Sequence, residues 1–148
     1  MQGNVKLLSE LELGAWRGML RVHATLVREL DAELERTHRL SLSAYEVLLL
    51  LHEAPERRLR MSELAESALL SLSGMTRLVD RLVRAGLVER ERCADDGRVT
   101  YATPTREGSR VFRAARVTHL SGVRTRFLSR YSTLELEALG TAWRRLDG

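Results

Sequence analysis

The chain is 148 residues long, 44% hydrophobic and 30% charged, which suits one compact domain with a sizeable core and excludes a disordered acidic tail or low-complexity filament. Its 24 basic and 20 acidic side chains leave a formal net charge of +4, too small for bulk charge alone to define a partner. The single cysteine, Cys93, excludes an internal disulfide and a cysteine-rich zinc site, no apolar run is long enough to span a membrane, and Met1 to Glu12 lacks the apolar block of a signal peptide.

Ser9-Glu10-Leu11-Glu12 has the form of a capping box and opens the first predicted helix. Trp16, Met19, His23, Leu26, Leu30 and Leu34 recur at helical spacing to about Thr37. A helix of that length, roughly 40 Å, exceeds what so small a domain can cover and points to a seam between subunits. Ser43-Ala44-Tyr45-Glu46 reads as a second capping box, opening a helix from Ala44 to Glu53 that Pro55 stops. A short helix is expected around Ser62 to Ala68, with Met61, Leu64, Ala65 and Ala68 inward. After a turn, another follows from about Leu72 to Ala85, with Ser71 as N-cap and Gly86 closing it.

The period then changes from helix to strand. Leu87 to Cys93 alternates in charge, Ala94-Asp95-Asp96-Gly97 reads as a hairpin turn, and Val99 to Thr103 is the β-rich return strand. Helix resumes after Pro104-Thr105 with Phe112, Ala115, His119, Val123 and Phe127 in register. Ser132-Thr133-Leu134-Glu135 caps a last helix carrying Leu136, Leu139, Trp143 and Leu146.

Helix, turn, helix and hairpin is the order of a winged helix-turn-helix. On the helix Leu72–Ala85, Met75, Leu78, Val79 and Leu82 fall on one side. Arg77, Arg81 and Arg84 fall on the other, with Ser73 and Gly74. Arginines among small polar residues suit a helix lying in the major groove of DNA, and Arg98 at the hairpin tip could reach a neighbouring minor groove or its phosphates. Asp95 and Asp96 would repel phosphate if unpaired, so at least one of them is expected to hold an arginine in place. Of the 24 basic residues 23 are arginine, which suits phosphate and guanine recognition but equally fits a compositional bias. Segregation onto one helix face favours recognition over the alternative, a merely solvated face.

Met61-Ser62-Glu63-Leu64-Ala65-Glu66, Gly74 to Val88, Asp96-Gly97-Arg98 and Thr105-Arg106-Glu107-Gly108 together resemble the MarR family of transcriptional regulators, across essentially the whole chain. Ala102 and Pro104 stand where that family usually has leucines. The resemblance implies a mainly α winged helix-turn-helix fold with six helices and one β-hairpin wing, in a single domain spanning 1–148. Residues 43–103 would bind DNA, and helices within 9–37 and 105–148 would join a homodimer. It further implies that Thr76-Arg77 contacts bases and phosphates, that Arg98 is the wing arginine, and that Asp96 is its salt-bridge partner. Ser71, at the head of the same helix, and the arginines already named complete the expected DNA set.

Expected function is therefore sequence-specific binding of double-stranded DNA by a cytoplasmic homodimer, most simply as a repressor on an inverted repeat. Members of the resembled family commonly bind small aromatic anions between the long helices and the reading heads. Trp16 and His23 on the first helix and His119 on the fifth are the residues here that could serve, or they are ordinary packing residues. No enzyme, metal or cofactor constellation is found: the four histidines form no paired-ligand motif, and there is no phosphate loop or nucleophile elbow. Two other readings stay open, a redox-responsive regulator using Cys93 and a winged helix that docks only onto protein.

Overall fold

The computed structural model describes residues 7–68 and 70–146. Those residues form six α-helices and a three-stranded antiparallel sheet: α1 Glu10–His38, α2 Leu42–Glu53, β1 Leu59–Arg60, α3 Met61–Ser67, α4 Leu72–Arg84, β2 Val88–Arg92, β3 Thr100–Pro104, α5 Arg106–Arg126 and α6 Thr133–Arg144. The expectations that fall on residues 1–6, 69 and 147–148 lie outside the described residues.

Ser9 and Glu12 cap α1 reciprocally, the Ser9 amide donating to Glu12 at 2.7 Å and the Glu12 amide to Ser9 Oγ at 3.3 Å. The helix runs 29 residues, about 43 Å. Of these, Leu30 and Leu34 near its C-terminus are buried, while Leu11, Trp16, Leu20, Val22 and Val27 remain exposed. Its C-terminal half is tied to α5 by Arg126, which pairs with Glu33 at 2.6 Å and Glu29 at 3.3 Å.

The central helix α2 gives the core more residues than any other element, with Leu42, Ala44, Tyr45, Val47, Leu48 and Leu51 buried. Its cap is Ser41, not the expected Ser43. Ser41 Oγ accepts from the Ala44 amide at 3.1 Å, and Asp31 of α1 accepts from the Leu42 amide at 2.8 Å. Leu42 is buried and so belongs inside the helix, which leaves Ser43 and Glu46 exposed within it.

The sheet also departs from the expected two-stranded hairpin. Leu59–Arg60 adds a third strand, giving the order β1-β3-β2 with Leu59 opposite Ala102 and Arg60 opposite Tyr101. A strand of two residues is too short to show periodicity in a sequence. Across the other edge, Val88 pairs with Pro104, Arg90 with Ala102 and Arg92 with Thr100.

The start of α5 is pressed against the turn that joins α4 to the sheet. Gly86, at φ +72°, ends α4 in the left-handed conformation that glycine adopts without strain. Thr105 then clamps that turn from both sides. Its amide donates to the Leu87 carbonyl oxygen at 3.0 Å and its hydroxyl to that of Gly86 at 2.7 Å, while Thr105 Oγ1 accepts from the Gly108 amide at 2.9 Å. The closeness explains Gly108, where an added Cβ would overlap the Leu87 carbonyl oxygen and lie 2.8 Å from its carbonyl carbon.

Candidate nucleic-acid interface

The helix α4 divides into two faces as its wheel predicts. Met75, Leu78, Val79 and Leu82 are buried, and Arg77, Arg81 and Arg84 are exposed. Ser71 is the N-cap, its Oγ accepting from the Gly74 amide at 3.1 Å and lying 3.2 Å from the exposed Ser73 Oγ. A Cβ on Gly74 would come within 3.1 Å of that same Ser71 oxygen, so the small residue leaves the cap room. Thr76 Oγ1 donates to the Leu72 carbonyl oxygen at 2.8 Å, which commits its proton to the helix and leaves the oxygen able only to accept. One exposed face thus gathers Ser73 and three arginine forks, a donor-rich surface that can meet phosphate oxygens and guanine edges.

The wing differs in detail from its prediction. The segment between the strands runs over residues 93–99, longer than an Asp-Gly hairpin turn. Its tight turn is Asp96–Val99, closed by the Val99 amide donating to the Asp96 carbonyl oxygen at 3.0 Å. Asp96 Oδ1 accepts from the Arg98 amide at 3.0 Å, so Asp96 holds Arg98 by its main chain, not by the expected ion pair with its guanidinium. An aspartate placed two residues before an amide closes such a turn on its own account. The exposed Arg98 side chain is left at the tip, free to meet a partner.

Two groups of arginines to which the sequence reading gave no role, Arg90 with Arg92 and Arg58 with Arg60, stand near this surface. Arg90 reaches from β2 to Asp80 of α4, and beside it Met61, Thr76, Arg92 and Thr100 line a shallow cavity of about 380 Å³. On the sheet's opposite face, Arg58 and Arg60 lie 4.8 Å and 5.9 Å from the centre of the Tyr101 ring. The strand's alternation could have revealed Arg90 and Arg92, since both share the face of Val88, which is buried.

The three residues expected around an effector are not brought together. His23 lines a cavity of about 790 Å³ whose walls include Gly18, Met19 and Leu26 of α1, Phe127 and Tyr131, and Leu139 and Trp143 of α6. Trp16 stands outside that wall, 53% exposed. His119 packs on Tyr45 with ring centres 4.6 Å apart, and burial pushes its pKa down, favouring the neutral ring. The indole on that cavity is Trp143 of α6, not the expected Trp16. Cys93 is half-buried at the root of the wing, its amide bonded to the Val99 carbonyl oxygen at 2.9 Å.

Residues 39–99 match the family model described as MarR family. Among solved structures, AbsC, a MarR family transcriptional regulator from Streptomyces coelicolor, is similar at 31% identity over 97% of this chain and 96% of that one, with a TM-score of 0.91. Sco3205, a MarR family transcriptional regulator from the same organism solved in complex with DNA, is similar at 32% identity over 99% of this chain and 91% of that one, with a TM-score of 0.92. At 20% identity, a mutant of MarR from E. coli, complexed with operator DNA, shares the fold over 95% of this chain and 99% of that one, with a TM-score of 0.81. A sequence search of curated proteins returned no match.

Proposed function

Since the chain belongs to the MarR family of transcriptional regulators, we propose that it acts as a homodimeric repressor that binds an inverted-repeat operator with α4 and the wing of each subunit. The observation that carries this reading is the division of α4, with four apolar side chains buried and Arg77, Arg81 and Arg84 exposed opposite them. Arg98 extends the same donor chemistry to the wing tip. A docking face for protein would be more apolar than this one, which argues against a protein-interaction module. That a relative of similar length, Sco3205, was solved in complex with DNA supports the same reading.

Pairing of two chains is supported by what α6 leaves uncovered. None of its residues is buried within the chain, and Leu134, Trp143 and Leu146 are exposed, as are Leu11 and Trp16 of α1. Two-fold pairing through 9–37 and 105–148 would set two copies of α4 about one helical turn of DNA apart, roughly 34–36 Å. Selection of bound fragments from genomic DNA is the test. The expected product is an inverted repeat with that spacing; recovery of unrelated fragments with no common motif overturns the reading.

Arg98 separates wing from helix within the same assay. Because it meets backbone or minor groove, Arg98→Ala is expected to weaken all sequences evenly and to reduce the slope of log affinity against log salt by about 0.9 per lost phosphate contact. A variant with the wild-type slope removes the wing from the interface.

The cavity between α1 and α6 is the place for an effector. Its aromatic walls suit a stacked ring and the His23 imidazole suits a carboxylate. A small aromatic acid bound there is expected to release DNA, and linkage requires it to bind the free dimer more tightly than the complex. A panel of aromatic acids, scored by thermal shift and operator competition, should yield one whose effect His23→Ala abolishes. If none acts, or His23→Ala changes nothing, the pocket is only packing space.

A further inference from the structure

Along β2, Val88, Arg90 and Arg92 alternate with Glu89 and Glu91, so arginines and glutamates occupy opposite faces of the sheet. The pairing fixes which face is which. Arg90 lies opposite the buried Ala102, so its side chain leaves the sheet on the inner side, toward α4. There Arg90 Nη1 donates to Asp80 Oδ1 at 2.6 Å, and Nη2 donates to the Thr76 carbonyl oxygen at 3.2 Å. Thr76 and Asp80 are one turn apart on one helix face, and the planar guanidinium spans them with two donors of a single rigid fork.

The contact sits where it can matter for DNA. Asp80 is the acid within a run of exposed arginines, between Arg77 and Arg81. Unpaired, it would oppose a phosphate; paired, its charge is answered from within the protein. Beyond Val88 the side chains of β2 are all exposed, so apart from its main-chain pairing with β3 the strand is tied to α4 through Arg90. An ion pair this open, with side chains 32% and 43% exposed, adds little to overall stability, so its worth lies in what it orients.

We propose that Arg90 is a positioning residue that fixes the wing against α4, so that Arg98 and the α4 arginines meet one duplex together. The inference deepens the DNA-binding reading and rests on it for its consequence, while the positioning itself is a property of the free protein.

Two measurements test it. In the DNA-free protein, amide exchange at Cys93 and Val99, whose hydrogen bonds close the wing at 2.9 Å and 3.0 Å, is expected to rise about tenfold in Arg90→Ala, with the α2 amides unchanged. No rise overturns the proposal, and so does a rise that extends to α2, which would make Arg90 a general stability residue. In the second, operator affinity is compared across a double-mutant cycle. Arg90 and Arg98 share no partner, so independent losses would add. Positioning predicts that Arg98→Ala, costing about tenfold in the parent, costs less than about threefold beside Arg90→Ala. Additive losses overturn it. Arg90→Lys can keep Asp80 but cannot span to the Thr76 oxygen, and it is expected to fall between parent and Arg90→Ala in both assays. If the parent chain binds no DNA, the functional reading fails, and the exchange measurement still decides whether Arg90 holds the wing.

Discussion

Gly108→Ala is expected to destabilise the fold by about 3 kcal/mol or more, the upper range for forcing atoms into a packed site. The added methyl would overlap the Leu87 carbonyl oxygen, and neither side can retreat cheaply. Leu87 is held by its hydrogen bond to the Thr105 amide, and α5 begins at that same threonine cap. For a chain of this size the loss corresponds to a fall in Tm of about 6–12 °C. Gly97→Ala is the control: a Cβ there meets nothing within 4 Å, and its cost should stay within about 0.5 kcal/mol. Thermal unfolding of both variants decides the matter, and a Gly108→Ala protein as stable as its parent would mean that α5 does not dock on Leu87.

Arg77→Ala is expected to remove about 1–3 kcal/mol of operator affinity in each half-site and to relax selectivity at one base position there. The side chain is exposed on the face of α4 opposite Met75, Leu78, Val79 and Leu82, so its loss should leave folding intact. Arg77→Lys should recover charge without the bidentate geometry, and so restore general DNA affinity more than selectivity. Repeating the site selection with each variant supplies both affinity and motif. An unchanged motif would take Arg77 out of base readout.

Much of this architecture is legible in the sequence because its signals are local and periodic. The reciprocal Ser9–Glu12 cap, the buried stripe of α4 and the Ser132–Glu135 cap of α6 are all found where the pattern puts them. The misreadings share a cause, which is that a neighbour distant in sequence decided the outcome. Ser41 outcompetes Ser43 because Leu42 must be buried and Asp31 of α1 takes up its amide. The strand at Leu59–Arg60 exists only because β3 offers it an edge. Within the site, the exposed arginines of α4 follow from spacing, whereas the reach of Arg90 to Asp80 depends on how the sheet sits against the helix. His23 and Trp143 meet at one cavity for the same reason, and Trp16, on the same stripe as His23, is left outside. Asp96 is the exception, a local limit: its position in the turn was legible, but the Arg98 amide two residues on took its carboxylate in place of a guanidinium.

The alternation along β2 also sets which insertions and deletions the gene can tolerate. With a period of two, gaining or losing one residue between Val88 and Arg92 turns every later side chain to the opposite face. Glutamates would then face Asp80, arginines would face outward beside Arg58 and Arg60, and an attractive underside would become a repulsive one. The same single-codon change at residues 94–95, ahead of the Asp96–Val99 turn, shifts only exposed loop, where length is cheap. Lineages of this protein should therefore vary freely in the length of the loop just ahead of the wing turn while conserving, codon for codon, the length of the short strand that leads to it.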